Sequence, residues 1–134
     1  MKNIHTVIID LLCKIEGFKT CLKIVHWNAK SLSEHRLCDD VQDELGEYED
    51  TIAELEQAIT DIKITEEELI PQAQSAESLT EFLNILLSDI KTFYEQIVQG
   101  DVSYVGISSE TETFIGKLQK FIYQASFCKG NVLE

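Results

Sequence analysis

Proline occurs once in this chain, at Pro71, and glycine six times, so little interrupts a helical reading. No apolar run approaches the roughly 20 residues needed to cross a membrane; the opening segment is broken by Asp10, Lys14, Glu16 and Lys19. The same segment lacks the basic start and uncharged stretch of a secretory signal, which leads to the expectation of a cytoplasmic protein. Bases are scarce. Lysine and arginine total 11 against 24 acids, a net charge of −13, and only Lys2 precedes the first helical pattern. Nucleic acid selects basic surfaces, so direct DNA binding is not expected, whereas an acidic surface suits cations. The four cysteines, Cys13, Cys21, Cys38 and Cys128, form no CxxC pair, so they read as reduced, half-buried thiols rather than a zinc knuckle or redox motif.

What the chain does contain is helical periodicity. Its 134 residues, 44% of them hydrophobic, suit a single domain over 1–134 with one core. Apolar residues recur at helical intervals in four blocks, at about 3–28, 33–62, 79–98 and 110–128. Capping boxes of the form S-x-x-E stand at Ser31 with Glu34, Ser78 with Glu81 and Ser109 with Glu112. Gly100 and Gly130 follow the third and fourth blocks, where left-handed C-caps are expected. The stretch 63–77 holds Pro71 and a further box, Thr65 with Glu68, with room for a short helix. Short links elsewhere imply two antiparallel hairpins joined by a long crossover between helices 2 and 3. The expected fold is all-α, the arrangement of a ferritin-like four-helix bundle.

The chemistry concentrates between His26 and Glu54. Two of the three histidines lie there among many carboxylates. On the second helix His35 and Asp39 are four residues apart, as are Asp50 and Glu54, so each pair shares a face. Asp39 and Asp50 are eleven apart, close to three whole turns, which puts all four side chains on one stripe. Imidazole plus carboxylate suits ferrous iron and related divalent ions. Distance then limits the geometry. Eleven helical residues rise about 16 Å, while metal–ligand bonds are near 2 Å, so Asp39 and Asp50 of one chain cannot hold the same ion. Two copies packed antiparallel about a twofold axis could bring His35 and Asp39 of one against Asp50 and Glu54 of the other.

This segment resembles the ferroxidase motif of Dps-like miniferritins: His26-Trp27 ending the first helix, then His35 with Asp39, then Asp50 with Glu54. The His26–His35 spacing is nine, three fewer than is usual in the family, and the turn lacks its usual glycine-proline-aromatic character. The likeness covers about residues 20–55; beyond that it is architectural. It implies metal ligation by His26, His35 and Asp39 from one subunit and by Asp50 and Glu54 from a twofold partner. Trp27 would serve beside the site as an electron donor or radical trap; packing in the core is its plain alternative.

By the same resemblance the chain is a ferroxidase that oxidises Fe(II) with peroxide or oxygen at a di-iron or mononuclear site and stores the product. It would do so in a homo-oligomer, at least a dimer and in the family a dodecameric shell. Zinc or manganese could occupy the same ligand types. The competing expectation is an inactive helical scaffold or phage-type accessory protein with the same fold. Asp43 and Glu47 lie near the stripe as candidate supporting or salt-linking residues. Asp101, Glu110 and Glu112 read as a solvated turn, with an ion-entry pore as the sharper alternative. His5 has no partner at metal spacing and reads as incidental.

Overall fold

The computed structural model describes residues 3–128. It contains four helices: α1 (Ile4–Trp27), α2 (Leu32–Thr60), α3 (Leu79–Ile97) and α4 (Val105–Ala125), with a 3-10 turn at Val102–Tyr104. Each start has a local cause. The side chains of Asn3, Ser31 and Ser78 accept from the backbone N–H groups of Thr6, Glu34 and Glu81, satisfying donors that the first helical turn leaves open. The serine half of the capping boxes at Ser31 and Ser78 is therefore used. At its far end α2 stops on Asp61, whose backbone is left-handed (φ 55°, ψ 29°) and whose N–H reaches the Gln57 carbonyl. Aspartate tolerates that conformation better than most residues.

The inward stripes meet in one continuous core. α1 packs against α2 and α3, and α4 against the same two. Phe18 and Phe82 meet edge to face at 5.7 Å between α1 and α3. Tyr48 and Phe114 stack at 4.1 Å between α2 and α4. Phe18 and Phe82 are almost wholly buried, each contributing about 1.5–3 kcal/mol of apolar transfer. The Tyr48 hydroxyl also enters the core, where it is satisfied by Thr111 Oγ1 at 2.8 Å.

The irregular link between α2 and α3 lies along α1. Glu68 sits near His5, the Gln72 N–H donates to the Cys13 carbonyl at 3.0 Å, and Ala76 lies beside Cys21. Ile64, Leu69 and Ala76 pack against the core. The chain thereby travels from the start of α1 towards its end before α3 begins. Gly17 makes this path possible: a Cβ there would stand 1.6 Å from the Gln72 carbonyl oxygen.

Three expectations need correction. α4 begins at Val105, four residues before the Ser109–Glu112 box, because Ile107 and Thr111 are buried and draw the preceding turn into the helix. The link holds only a turn at 66–68 in place of a short helix; Thr65 and Glu68 do bond, Thr65 N–H to Glu68 Oε1 at 3.0 Å. Gly100 has no left-handed backbone, because the chain passes directly into a turn capped by Asp101. Gly130 lies outside the described residues.

Gly17→Ala must displace the link, and overpacking of this kind costs about 1–3 kcal/mol. Gly116→Ala, whose Cβ meets nothing within 4 Å, should instead gain roughly 0.5–1 kcal/mol of helix propensity. Urea unfolding of both variants checks the pair; an undiminished Gly17→Ala protein would mean that the link is not held against α1.

Candidate metal centre

His26 occupies the last turn of α1, and His35 and Asp39 occupy the first two turns of α2. The connection between them, 28–31, is tight. Asn28 folds its side-chain amide back onto the Ile24 carbonyl at 2.8 Å, and Ser31 is buried as it caps α2. This brings His26 Nε2 to 3.2 Å from His35 Nε2 and to 3.3 Å from Asp39 Oδ1. One ligand atom from each of the three residues lies within 4.8 Å of the others, the sole such group of His, Cys, Asp and Glu among the described residues. The shortened turn therefore still delivers His26 to the other two.

Two of the three separations in the group suit a divalent ion. Two ligands at bonds of about 2.1 Å are separated by about 3.0 Å at right angles and about 3.4 Å at tetrahedral angles. The observed 3.2 and 3.3 Å fall inside that interval. Without a metal the same distances describe a His–His hydrogen bond and a His–Asp pair. The donor chemistry, two imidazoles and a carboxylate, is that of iron, zinc or manganese sites. His26 is mostly shielded, with a side-chain exposure of 17%, whereas Asp39 is 58% exposed, so the group opens outward from the bundle.

Asp50 and Glu54 are exposed on α2 and are not brought to this group within one chain. The rise of α2 keeps Asp50 about 16 Å along the axis from Asp39. Trp27 is 71% exposed, which overturns the core-packing alternative for it and leaves the ring on the surface. The salt link on this side of α2 comes from Glu44, which receives Lys117 at 2.7 Å, and not from Asp43 or Glu47. Glu110 and Glu112 lie in α4 and not in a turn; Glu112 accepts from the Tyr94 hydroxyl, while Asp101 caps the 3-10 turn.

A second polar cluster escaped the sequence reading. His5, expected to be incidental, bonds through Nδ1 to the fully buried Glu56 at 2.5 Å, and its Nε2 stands 3.6 Å from Glu68. The hydrogen bond to Glu56 raises the His5 pKa despite partial burial. Further along, Glu49 is buried with Lys19 at 3.0 Å, and Lys19 also holds Glu16 at 2.8 Å. Burial pushes the Glu49 carboxyl up to about 7. The signal for both was present: Glu49 and Glu56 interrupt the sequence Leu45, Ile52, Ile59 at the three- and four-residue steps of the inner stripe. Their partners, 51 and 30 residues away, were not legible.

No family model, curated protein or solved structure matches this chain. Among the described residues, no helix is long and apolar enough to cross a membrane.

These pKa shifts act on stability in one direction. The folded state binds the His5 proton more tightly than the unfolded chain does, so that contribution is complete below about 6.5 and is lost as pH rises through the raised value. Glu49 prefers to stay protonated, so the fold is penalised as pH climbs from its ordinary 4.5 through about 7. Unfolding free energy should fall across this range. Glu49→Gln should flatten the lower part and His5→Gln the upper. Urea unfolding at intervals of one pH unit provides the check, and a stability that rises with pH would contradict the assignment.

Proposed function

We propose that this chain is a ferritin-like, miniferritin-type ferroxidase whose substrate, Fe(II), is bound between two copies. The observation that carries the reading is the convergence of His26, His35 and Asp39 at ligand spacing. The link lying along α1 supports taking the bundle as ferritin-like, since it is the long connection that such a topology requires.

The register of α2 supports the shared site. Asp39 and Asp50 are symmetric about a point between residues 44 and 45, and so are His35 and Glu54. A single antiparallel pairing of two α2 helices therefore sets both pairs opposite each other at once. In that pairing Asp43 faces Gly46 of the second copy, where the missing side chain leaves open space, since a Cβ on Gly46 would meet nothing within 4 Å of its own chain. Asp39, Asp50 and Glu54 are all exposed and available to such a partner.

In this reading the neutral imidazoles of His26 and His35 and the carboxylate of Asp39 hold Fe(II), and the partner's Asp50 and the partner's Glu54 complete the set. Carboxylates favour the more highly charged ferric product, which lowers the barrier to electron loss. The electron passes to peroxide or oxygen, and in this reading Trp27, next in sequence to His26, donates or traps one. Storage of the oxidised iron in a hollow homo-oligomer, in the family a dodecamer, and action in the cytoplasm belong to the same proposal. Zinc or manganese at these ligands would make the site a metal store or structural centre instead.

Anaerobic Fe(II) titration followed by peroxide, then oxygen, tests this. Saturable binding and oxidation faster than buffer are expected. Loss of supporting partners alone costs about 10–100-fold in metal sites, and the Asp50→Ala/Glu54→Ala double variant, lacking two ligands, should lose at least that much. Oxidation no faster than buffer from a folded protein would leave the helical scaffold reading.

A further inference from the structure

We infer that association of two copies along α2 is itself controlled by a divalent cation, so that metal binding and assembly are one coupled equilibrium. The inference rests on the shared site proposed above and adds to it how the two copies are held together. The outward face of α2 presents Asp39, Asp43, Asp50 and Glu54, all exposed. Among the described residues Asp43, Asp50 and Glu54 form no ion pair or side-chain hydrogen bond with their own chain, and Lys117, on neighbouring α4, is committed to Glu44. Arg36 stands at one edge of this face, and Lys120 shares a groove with Asp43 at another.

Paired about the point between residues 44 and 45, the two faces crowd carboxylates of both copies into one strip. Asp39 stands opposite the partner's Asp50, and His35 opposite the partner's Glu54. Each copy supplies four carboxylates to the same strip, and juxtaposed like charges oppose association. On α2 itself apolar burial offers little in compensation. Between His35 and Gln57 the face has Gly46 and Ala53, and the nearest large exposed hydrophobic on α2 is Leu32, at its start. The geometry that makes the strip self-repelling also makes it a ligand set: two imidazoles and a carboxylate from one copy face two carboxylates from the other. A divalent cation removes the repulsion and bridges the copies in the same step. By linkage the ion must strengthen association by the factor by which association strengthens ion binding. Metal affinity should therefore rise with protein concentration.

The test uses the full chain and zinc, which binds these ligand types without redox chemistry. Sedimentation velocity with a chelator should give mainly the mass of one chain. Added zinc should shift the protein to dimers or larger assemblies, with at least about a fivefold fall in dissociation constant, the lower end of ordinary coupling. Zinc titration at two protein concentrations should show tighter binding at the higher one. Asp43→Asn, exposed and outside the ligand set, should strengthen association in chelator and narrow the gap between the two conditions. The same assembled mass with chelator and with zinc, unchanged by Asp43→Asn, would overturn the coupling while saturable zinc binding lost in Asp50→Ala/Glu54→Ala kept the shared site. Zinc bound by a species that stays at one chain mass would also overturn the coupling, and a double variant that still binds zinc normally would sink the shared site itself.

Discussion

An α-helix is a rigid ruler, and the length of α2 is the constraint on which the site depends. Its 29 residues rise about 1.5 Å each, so carboxylates eleven positions apart can share a face but never an ion. The helix therefore carries two pairs of candidate ligands, His35 with Asp39 and Asp50 with Glu54, that look outward at separate points. Meanwhile Leu45, Tyr48 and Ile52 anchor its other side in the core, which fixes which residues face out. The helix cannot rotate to bring Asp50 nearer to His26 without withdrawing those anchors.

Placement of His26 depends on α1, which packs on α3 and is held from two further directions. α2 packs along one side, while the link lies over another, bonded at Cys13 and admitted by the missing side chain of Gly17. Near the start of α1, His5 ties the end of α2 and the link to the same helix through Glu56 and Glu68. The metal-binding candidates thus sit at one end of a hairpin whose other end is closed by a polar cluster around the buried Glu56. Both ends place polar groups between α1 and α2, and the Lys19–Glu49 pair adds another between them.

Much of this was legible in the sequence because it is local. Seven apolar residues of α3, from Leu79 to Ile97 at three- and four-residue steps, are all buried as their period implies. Ser31 and Ser78 cap helices because the serine and glutamate that make the bond are three residues apart. The start of α4 was misread for the same reason. Its first turn holds Val105 and Gly106, poor local helix formers, and is helical because Ile107 packs into a core that no short window reveals. Ser109 consequently lies inside the helix, with a spacing suited to a cap it does not form.

The candidate site divides along the same line. His35 with Asp39, and Asp50 with Glu54, follow from the sequence by itself, since a helical period places residues four apart on one face. That these pairs are eleven residues out of reach of each other also follows from sequence, through the fixed rise of the helix. Tertiary structure alone decided that a link of four residues turns tightly enough to set His26 against His35 and Asp39. It also made His5 a partner of Glu56, because antiparallel packing joins residues that are far apart in the chain. Local periods are written in neighbouring residues; the approach of distant ones depends on how whole helices pack, and so appears only in the folded chain.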